Sequence, residues 1–293
     1  MNVYESITNK IIESLEAGVI PWRKEWTATR GQLPYNYQTE KPYRGINMLT
    51  LLMAPYSSPQ WMTYKQAKEC GGQVRRGEHG QTIIFWSFTK RENKSTGEEY
   101  ESAFAKQYTV FNVEQIDGLP VALPFDLPPF NPIDAAEAIA GVYMASASHP
   151  TLAHGGGEAY FSPSRDHVQM PPRETFTSPG AYYATLFHEL AHSTSIASRL
   201  NRRAEKTHQF GDENYSKEEL TAEFTSAFLC AESGITNDER LANSAAYIQC
   251  WIRALKNDKT LAIAAAQRAQ KAADYIMGRK AAAAIAESAE VAA

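Results

Sequence analysis

Residues 182–192 read YYATLFHELAH and contain the arrangement H-E-x-x-H. Four residues turn a helix by about 400°, so His188 and His192 would lie on one face, about 6 Å apart along the axis. Both imidazoles could then bind one tetrahedral metal ion, and Glu189 would lie beside them to accept a proton from a water molecule that the metal activates. This spacing therefore predicts a metal-binding helix.

Signals on both sides of the motif favour a helix. Ser178 can cap the start, Pro179 suits the first turn, and no proline or glycine interrupts residues 181–196. Leu186 and Leu190 recur four residues apart and would form an apolar face. The alternative is a helix whose two histidines are exposed or hydrogen-bonded without a metal, so the metal interpretation requires a third ligand.

A second predicted helix offers candidates for that ligand. Glu219 and Glu223 lie four residues apart, so both would project from one helical face. In zincins of the gluzincin kind, an E-x-x-x-D pattern at this place supplies one metal ligand and one acid that steadies the site, and the pair is similar to it. Two alternatives stay open: Glu223 could replace Glu219 as the ligand, or Ser216 and Glu219 could form a capping box at the helix start.

Length and composition are those of a soluble globular protein. A chain of 293 residues can form two domains, each with its own core. No segment is long and apolar enough to span a membrane, and the N-terminus lacks a basic-then-apolar signal. The three cysteines, at positions 70, 230 and 250, form no C-x-x-C pair. These features favour a cytoplasmic protein with reduced thiols and no membrane partner.

Charge is distributed unevenly along the chain. Residues 1–94 contain 13 Lys and Arg against 8 Asp and Glu, a net +5, whereas the remaining residues carry 16 against 25, a net −9. Four of the five tryptophans also lie in the basic part. Rings that stack on bases and cations that contact phosphates are what single-stranded nucleic acid requires, although any one of these rings could instead belong to the core. The candidate DNA-binding residues are Trp22, Trp26, Tyr35, Tyr37, Tyr43, Arg44, Arg75 and Arg76.

Prolines mark the predicted domain boundary. Five of them fall in residues 119–132, which predicts a semi-rigid linker. We therefore expect an α+β protein of two domains, an α+β DNA-binding domain at 1–118 and a mostly helical domain with a small sheet at 133–293. The predicted helices are 4–17, 48–53, one opening at Trp61, 133–148 and those from 221 onward; the predicted strands are 82–90, 104–113, 158–161 and 167–170.

Several segments resemble one family. In the first half these are GVIPWRKEW (18–26), YRGINMLTLL (43–52), WMTYKQAKECGGQVRRGEHG (61–80) and YTVFNVEQIDGLP (108–120). They are similar to the N-terminal domain of ArdC-type antirestriction proteins, which conjugative-plasmid primases share. In the second half, YYATLFHELAHSTSIASRLNR (182–202) and YSKEELTAEFTSAFLCAESGI (215–235) resemble the zincin-like metallopeptidase domain joined to it. The resemblance covers nearly the whole chain.

The resemblance implies a bacterial plasmid or mobile-element protein that acts when DNA enters a new host cell, where the protein itself could also be transferred. Its N-terminal domain would bind single-stranded DNA and protect it from restriction. One divalent metal ion, expected to be Zn²⁺, would be held by His188, His192 and a glutamate.

Two functions follow as hypotheses. In the first, the protein is an antirestriction factor that binds single-stranded DNA and carries a metal-dependent peptidase-like domain, with Glu189 as the proton acceptor. In the alternative, proteolysis of a host restriction protein or another protein is the main activity, and the N-terminal domain only targets it to DNA. Tyr182, Tyr183 and Tyr215 are alternative candidates for stabilising the oxyanion of the peptidase reaction, and the sequence does not select one of them.

Overall fold

Helices and small sheets share the described part of the chain, which comprises residues 3–17, 20, 33–56, 58–92, 99–119, 132–202, 213–235 and 244–279 of a computed structural model. The elements in chain order are α1 Val3–Glu16, β1 Tyr35–Asn36, α2 Gly45–Leu52, β2 Gln60–Thr63, α3 Tyr64–Glu69, β3 Gln73–Val74, β4 Gln81–Glu92, β5 Glu99–Asn112, β6 Ile116–Asp117, α4 Pro132–Met144, β7 Thr151–His154, β8 Tyr160–Ser162, β9 His167–Met170, α5 Pro179–Ser193, α6 Glu213–Ser233, α7 Ser244–Asn257 and α8 Leu261–Ile276. The predicted α+β class is confirmed. None of the described helices is long and apolar enough to cross a membrane.

The chain divides into two compact units. The described residues of Met1–Leu33 and Leu127–Lys280 form the helical unit, and those of Pro34–Asp126 form the front unit. Helix α1 belongs to the helical unit, where it packs against α7 and α8. There the Thr8 hydroxyl donates to the Lys259 carbonyl at 2.6 Å, and the Lys259 ammonium donates to Asn9 at 2.9 Å.

These packing units differ from the predicted domains at the N-terminus. The boundaries 1–118, 119–132 and 133–293 stay a prediction about the sequence, and residues 120–131 of the linker lie outside the described residues. The structure adds that the first helix of the chain packs with its last helices. Contacts between residues about 250 positions apart leave no local signal, so the sequence pattern could not show this.

The front unit is built around a four-stranded sheet with the order β1-β2-β5-β4. Strands β4 and β5 form a long antiparallel hairpin, as predicted from their β-branched and aromatic residues. Helix α2 covers this sheet next to β4. The Asn47 side chain donates to the Ile84 carbonyl and accepts from the Ile84 amide, both at 2.7 Å. The Asn47 side chain therefore makes hydrogen bonds with backbone groups on the edge of β4 that faces away from β5.

The predicted helix at Trp61 is wrong in its start. Residues Gln60–Thr63 form β2, which pairs with β5, and helix α3 begins only at Tyr64. Trp61 packs in one hydrophobic cluster and Met62 in another, at 1 % and 0 % exposure. Adjacent side chains that are buried on opposite sides require the alternation of a strand. Thr63 then caps α3 in a capping box with Gln66.

The helical unit is organised around α6, which lies against α4, α5, α7 and α8. Alanines line the buried face of α8 and let its backbone approach α6, so that the Thr225 hydroxyl lies 3.4 Å from the Ala269 carbonyl. A three-stranded sheet of order β7-β9-β8 packs against α5 through β8 and β9. Strand β7 was not predicted, whereas the strands at 158–161 and 167–170 correspond to β8 and β9.

Helix α5 begins as the sequence predicts. The Ser178 hydroxyl accepts from the Ala181 amide at 3.1 Å, and Pro179 is the first helical residue. The helix ends at Ser193, where Thr194 is the C-cap and the Thr194 hydroxyl donates to the Ala191 carbonyl at 2.7 Å. Leu186 is buried, as its predicted place on the apolar face requires.

Candidate metal centre

Helices α5 and α6 bring three potential metal ligands together. His188 and His192 lie one turn apart on α5, and their Nε2 atoms are 3.1 Å from each other. The Glu219 carboxylate on α6 faces both rings, with its oxygens 3.6 Å from His188 Nε2 and 3.4 Å from His192 Nε2. A buried bond between the helices, from the Ser226 hydroxyl to the Ala184 carbonyl at 2.7 Å, fixes their spacing.

This arrangement fits a metal ion. Zinc binds histidine nitrogen and carboxylate oxygen at about 2.0–2.2 Å, so two ligands at tetrahedral positions are about 3.3 Å apart. The three separations in the centre, 3.1, 3.4 and 3.6 Å, bracket that value. Among the described residues, His188, His192 and Glu219 form the one group with metal-ligand spacing.

Charge at the centre favours a cation. Burial by itself lowers the pKa of His192, but Glu219, Glu218 and Glu189 raise it to about 10. Burial disfavours the Glu219 carboxylate, yet the imidazoles of His192 and His188 hold its pKa well below the usual range. Acidic groups around a nearly enclosed imidazole thus attract positive charge. A divalent cation held between these groups would be stabilised by the same carboxylates.

Glu223 and Glu219 occupy different positions around the histidines. Glu223 faces His188 Nδ1 at 3.4 Å, on the side of the ring away from Nε2. Carboxylates in this position commonly hold a metal-binding histidine by its second nitrogen. Glu219 thus lies on the Nε2 side of both rings, whereas Glu223 lies within ion-pair distance of His188 Nδ1 without a hydrogen bond to it. The capping-box alternative is wrong, because α6 begins at Glu213 and Ser216 lies inside the helix.

Glu218 performs the corresponding contact for His192, and the sequence pattern did not reveal it. Its carboxylate lies 3.6 Å from His192 Nδ1. Arg202 holds that carboxylate with two bonds, from Nε at 3.2 Å and Nη2 at 2.8 Å. The same guanidinium donates to the Thr194 hydroxyl at 2.7 Å and to the Ala191 carbonyl at 2.9 Å. Arg202 thereby ties the end of α5 to α6 beside the centre.

Glu189 is buried at 7 % exposure and lies on α5 between the two histidines. Its side chain leaves the helix about 60° around the axis from that of His192, since each residue turns the helix by about 100°. The predicted role of Glu189 remains a prediction, and its location agrees with that role.

Two of the three tyrosines proposed to stabilise an oxyanion form hydrogen bonds with other side chains. The Tyr182 hydroxyl bonds His154 Nε2 at 2.8 Å, and the Tyr183 hydroxyl donates to Glu137 at 2.5 Å. Arg173 covers the Tyr182 ring at 4.7 Å. Both rings are almost fully buried, about one and a half turns before His188. The side chain of the third candidate, Tyr215, lies outside the described side chains.

The predicted DNA-binding residues fall into three groups. Trp22 and Trp26 lie outside the described residues. Three tyrosines take part in the structure of the front unit: Tyr35 and Tyr37 are half-buried, and Tyr43 is a core residue at 4 % exposure whose hydroxyl accepts from Asn36 at 3.3 Å. Of the arginines, Arg44 is half-buried before α2, whereas Arg75 and Arg76 are exposed.

Comparison with known proteins covers both units. Residues 140–268 match the family model of zincin-like metallopeptidases, and residues 1–111 match that of the N-terminal domain of anti-restriction factor ArdC. The chain is 38 % identical over 293 residues to the DNA primase TraC of Escherichia coli, covering 94 % of this chain and 20 % of the primase. It therefore spans about a fifth of that relative. The uncharacterized protein y4eC of Sinorhizobium fredii (strain NBRC 101917 / NGR234) is 37 % identical, with 94 % and 91 % of the two chains covered.

Two crystal structures of the antirestriction protein ArdC from plasmid R388 are similar throughout. The metal-free structure is 41 % identical with a TM-score of 0.75, and it covers 94 % of this chain and 97 % of that one. The Mn(II)-bound structure is 40 % identical with the same TM-score, and coverage is 95 % and 98 %. Together with the ligand geometry, the zincin match and the metal-bound relative support a divalent metal at this centre. The chain belongs to the ArdC family of antirestriction proteins and joins the ArdC N-terminal domain to a zincin-like domain.

Proposed function

We propose that the protein binds single-stranded DNA and protects incoming DNA from host restriction. The observation that carries this proposal is the likeness to the R388 antirestriction protein, which extends over 94 % of the chain at 41 % identity. Both matched domains are present, so the activity of that relative is expected to reside in the same two parts. The cytoplasm of a bacterial cell that receives DNA is the proposed place of action.

The first 94 residues, which include helix α1 of the helical unit and much of the front unit, have the chemistry that such binding requires. Residues 1–94 carry a net charge of +5 and four of the five tryptophans, of which Trp61 is a core residue. Cations that follow the phosphates and rings that stack on bases bind single strands with little dependence on sequence. Binding of this kind releases counterions and can occur along the whole length of an entering strand. Protection by covering DNA therefore needs no base-specific contacts.

The helical unit would hold one divalent ion through His188, His192 and Glu219. When bound, such an ion acts as a Lewis acid that lowers the pKa of a water molecule and polarises a carbonyl oxygen. Glu189 is the chain's own base at this place, and its carboxylate would accept the proton. Glu218 and Glu223 would keep both imidazoles oriented through their Nδ1 atoms. We propose Zn²⁺ as the physiological ion, since nitrogen and carboxylate ligands suit it.

A second candidate function is proteolysis as the main activity, with the front unit directing the protein to DNA. The presence of Glu189 favours this candidate, because a purely structural metal site needs its ligands and not a base. A host restriction protein or another protein would then be the substrate.

Glu189→Gln separates the two functions. The amide is close in size to the carboxylate and lies outside the proposed ligand set, so we expect metal content, melting temperature and DNA binding to be unchanged. We also expect the variant to protect DNA that enters a restricting host as well as the wild type does. The measurement is the recovery of transferred plasmid in restricting and non-restricting recipients.

Loss of protection in Glu189→Gln would favour proteolysis as the main activity. A Glu189→Gln protein that is folded, binds its metal and binds DNA but no longer protects would assign protection to the peptidase chemistry. Tyr160→Phe serves as a control, since it changes an exposed tyrosine of the same unit that is not among the proposed ligands.

A further inference from the structure

The front unit contains a concave surface of about 590 Å³ beside α3. Its lining is Tyr64, Gln73, Arg75, Arg76, Phe111 and Asp117, together with Val74 and Glu78. This volume lies in the range of small-ligand sites, which hold molecules the size of one nucleotide or larger. An aromatic ring and two guanidinium groups in one concavity combine the two kinds of contact that nucleic acids use.

Tyr64 presents an unusually free ring. It is 52 % exposed, and it is the one large hydrophobic side chain among the described residues of the front unit with such exposure. Phe111 supports it edge-on, with centroids 6.4 Å apart and planes at 68°, and the Tyr64 hydroxyl accepts from Gln73 at 3.2 Å. The ring is thus held in place from two sides and still offers surface to a ligand. An exposed ring that is held in one orientation is available for stacking against a second flat ring.

The two neighbouring arginines differ in what they contact. Arg75 donates to Glu78 at 2.8 Å and to the Glu114 carbonyl at 2.6 Å, and it lies 3.5 Å from Asp117. Its charge is therefore balanced by two carboxylates that line the same concavity. Arg76 is exposed and has no hydrogen bond or ion pair among the described residues. Arg76 is accordingly the cation that a phosphate can engage without breaking existing contacts.

We propose that this concavity is a nucleotide subsite in which an unpaired base stacks on Tyr64 and an adjoining phosphate binds Arg76. The inference rests on the proposed function, because it places one contact of the single-stranded DNA. A base inside a duplex is stacked on its neighbours and cannot lie on the ring, so the subsite selects single strands. Arg75 is a structural residue here that shapes the concavity with Glu78 and Asp117.

The test uses the full chain and a fluorescein-labelled oligothymidylate in an anisotropy titration. Removing one stacking ring weakens single-strand binding by about tenfold or more, so Tyr64→Ala should raise Kd by that factor. Tyr64→Phe keeps the ring and should stay within about twofold of the wild type. Arg76→Ala should reduce the slope of log K against log salt by about 0.7, the contribution of one phosphate on a single strand.

Matched controls identify the surface. Tyr160→Ala removes an exposed tyrosine from the helical unit, and Lys106→Ala removes a cation from β5 five residues before Phe111, on the opposite face by strand alternation. Both should bind like the wild type, and melting temperatures verify folding. If the wild type does not bind the oligonucleotide, the proposed function falls together with this inference. If the wild type binds and folded Tyr64→Ala binds equally well, this inference alone is wrong.

Discussion

At the residue scale, the centre depends on which carboxylate meets which nitrogen. Glu219 faces the two Nε2 atoms, whereas Glu218 and Glu223 each face an Nδ1 atom. The helix fixes these roles, because residues 219 and 223 are one turn apart and reach opposite sides of the same imidazole. Loss of a ligand and loss of an orienting group should therefore have different consequences for metal binding.

The first prediction concerns the ligands. His188→Ala should abolish stoichiometric binding of about one Mn(II) or Zn(II) per chain, and Glu219→Ala should weaken binding more than Glu223→Ala does. Metal content after dialysis and titration against a competing chelator measure both effects. A stronger loss in Glu223→Ala than in Glu219→Ala would contradict the ligand assignment.

The second prediction concerns Arg202. Arg202→Lys removes the paired bonds to Glu218, so His192 should be less well oriented and metal affinity should fall by about 10- to 100-fold. Arg199→Lys is the control, since Arg199 makes a similar paired contact with Asp166 near the end of α5 without touching a ligand. We expect it to lower the melting temperature and to retain affinity. Equal losses of affinity in both variants would show a general structural effect.

At the element scale, the Asn47 side chain forms hydrogen bonds with the outer backbone edge of strand β4. Asn47 of α2 makes two buried hydrogen bonds with the backbone of Ile84 in β4, the edge strand of its sheet. Each bond contributes about 1 kcal/mol, and the backbone groups left behind are costly to bury. Asn47→Ala should therefore destabilise the protein by about 2–4 kcal/mol, measured by urea unfolding.

A neighbouring residue provides the comparison for that variant. The Thr50 hydroxyl is also buried, but it bonds only the Ile46 carbonyl of its own helix. Thr50→Val should lower the free energy of unfolding by less than about 1 kcal/mol. The Ile46 carbonyl keeps its hydrogen bond from the helix backbone when the hydroxyl is removed. If both variants were equally destabilised, the contact between α2 and β4 would have no special importance.

The same elements show what a sequence can predict. The metal helix, its capping serine and the β4–β5 hairpin follow from local spacing and residue type, so they were predicted. The helix predicted from Trp61 is wrong over β2, because the burial of the adjacent Trp61 and Met62 in different clusters is a property of the fold and not of the local sequence. Glu218 and Arg202 were missed because their contact joins segments 16 positions apart and carries no periodic signal.

At the scale of the whole molecule, helix α1 should stabilise the unit that holds the metal. Ile11 is fully buried, and α1 packs against α7 and α8. Ile11→Ala should lower the free energy of unfolding of the helical unit by about 2–4 kcal/mol, because it leaves a cavity. A metal ion stabilises the unit that binds it, so the unfolding transition that Mn(II) raises should be the one that Ile11→Ala lowers.

Ile83→Ala is the matched variant in the front unit, where Ile83 is 1 % exposed. It should lower the transition that does not respond to Mn(II). Calorimetry with and without metal distinguishes the two transitions. Should Ile11→Ala affect only the transition that is insensitive to metal, the assignment of α1 to the helical unit would be wrong.

The place of α1 also determines the order in which the molecule can be assembled during translation. The Thr8–Lys259 bond joins residues 251 positions apart, and such distant contacts form only after the intervening chain has been made. The front unit, by contrast, needs only residues 34–119 for its described contacts. On a translating ribosome, the concavity beside α3 can therefore be complete before residue 276, the last residue of α8, has been synthesised. The helices around the metal centre can pack fully only after that point. Newly made chains would acquire the concavity at Tyr64 and Arg76 before they acquire the finished metal site.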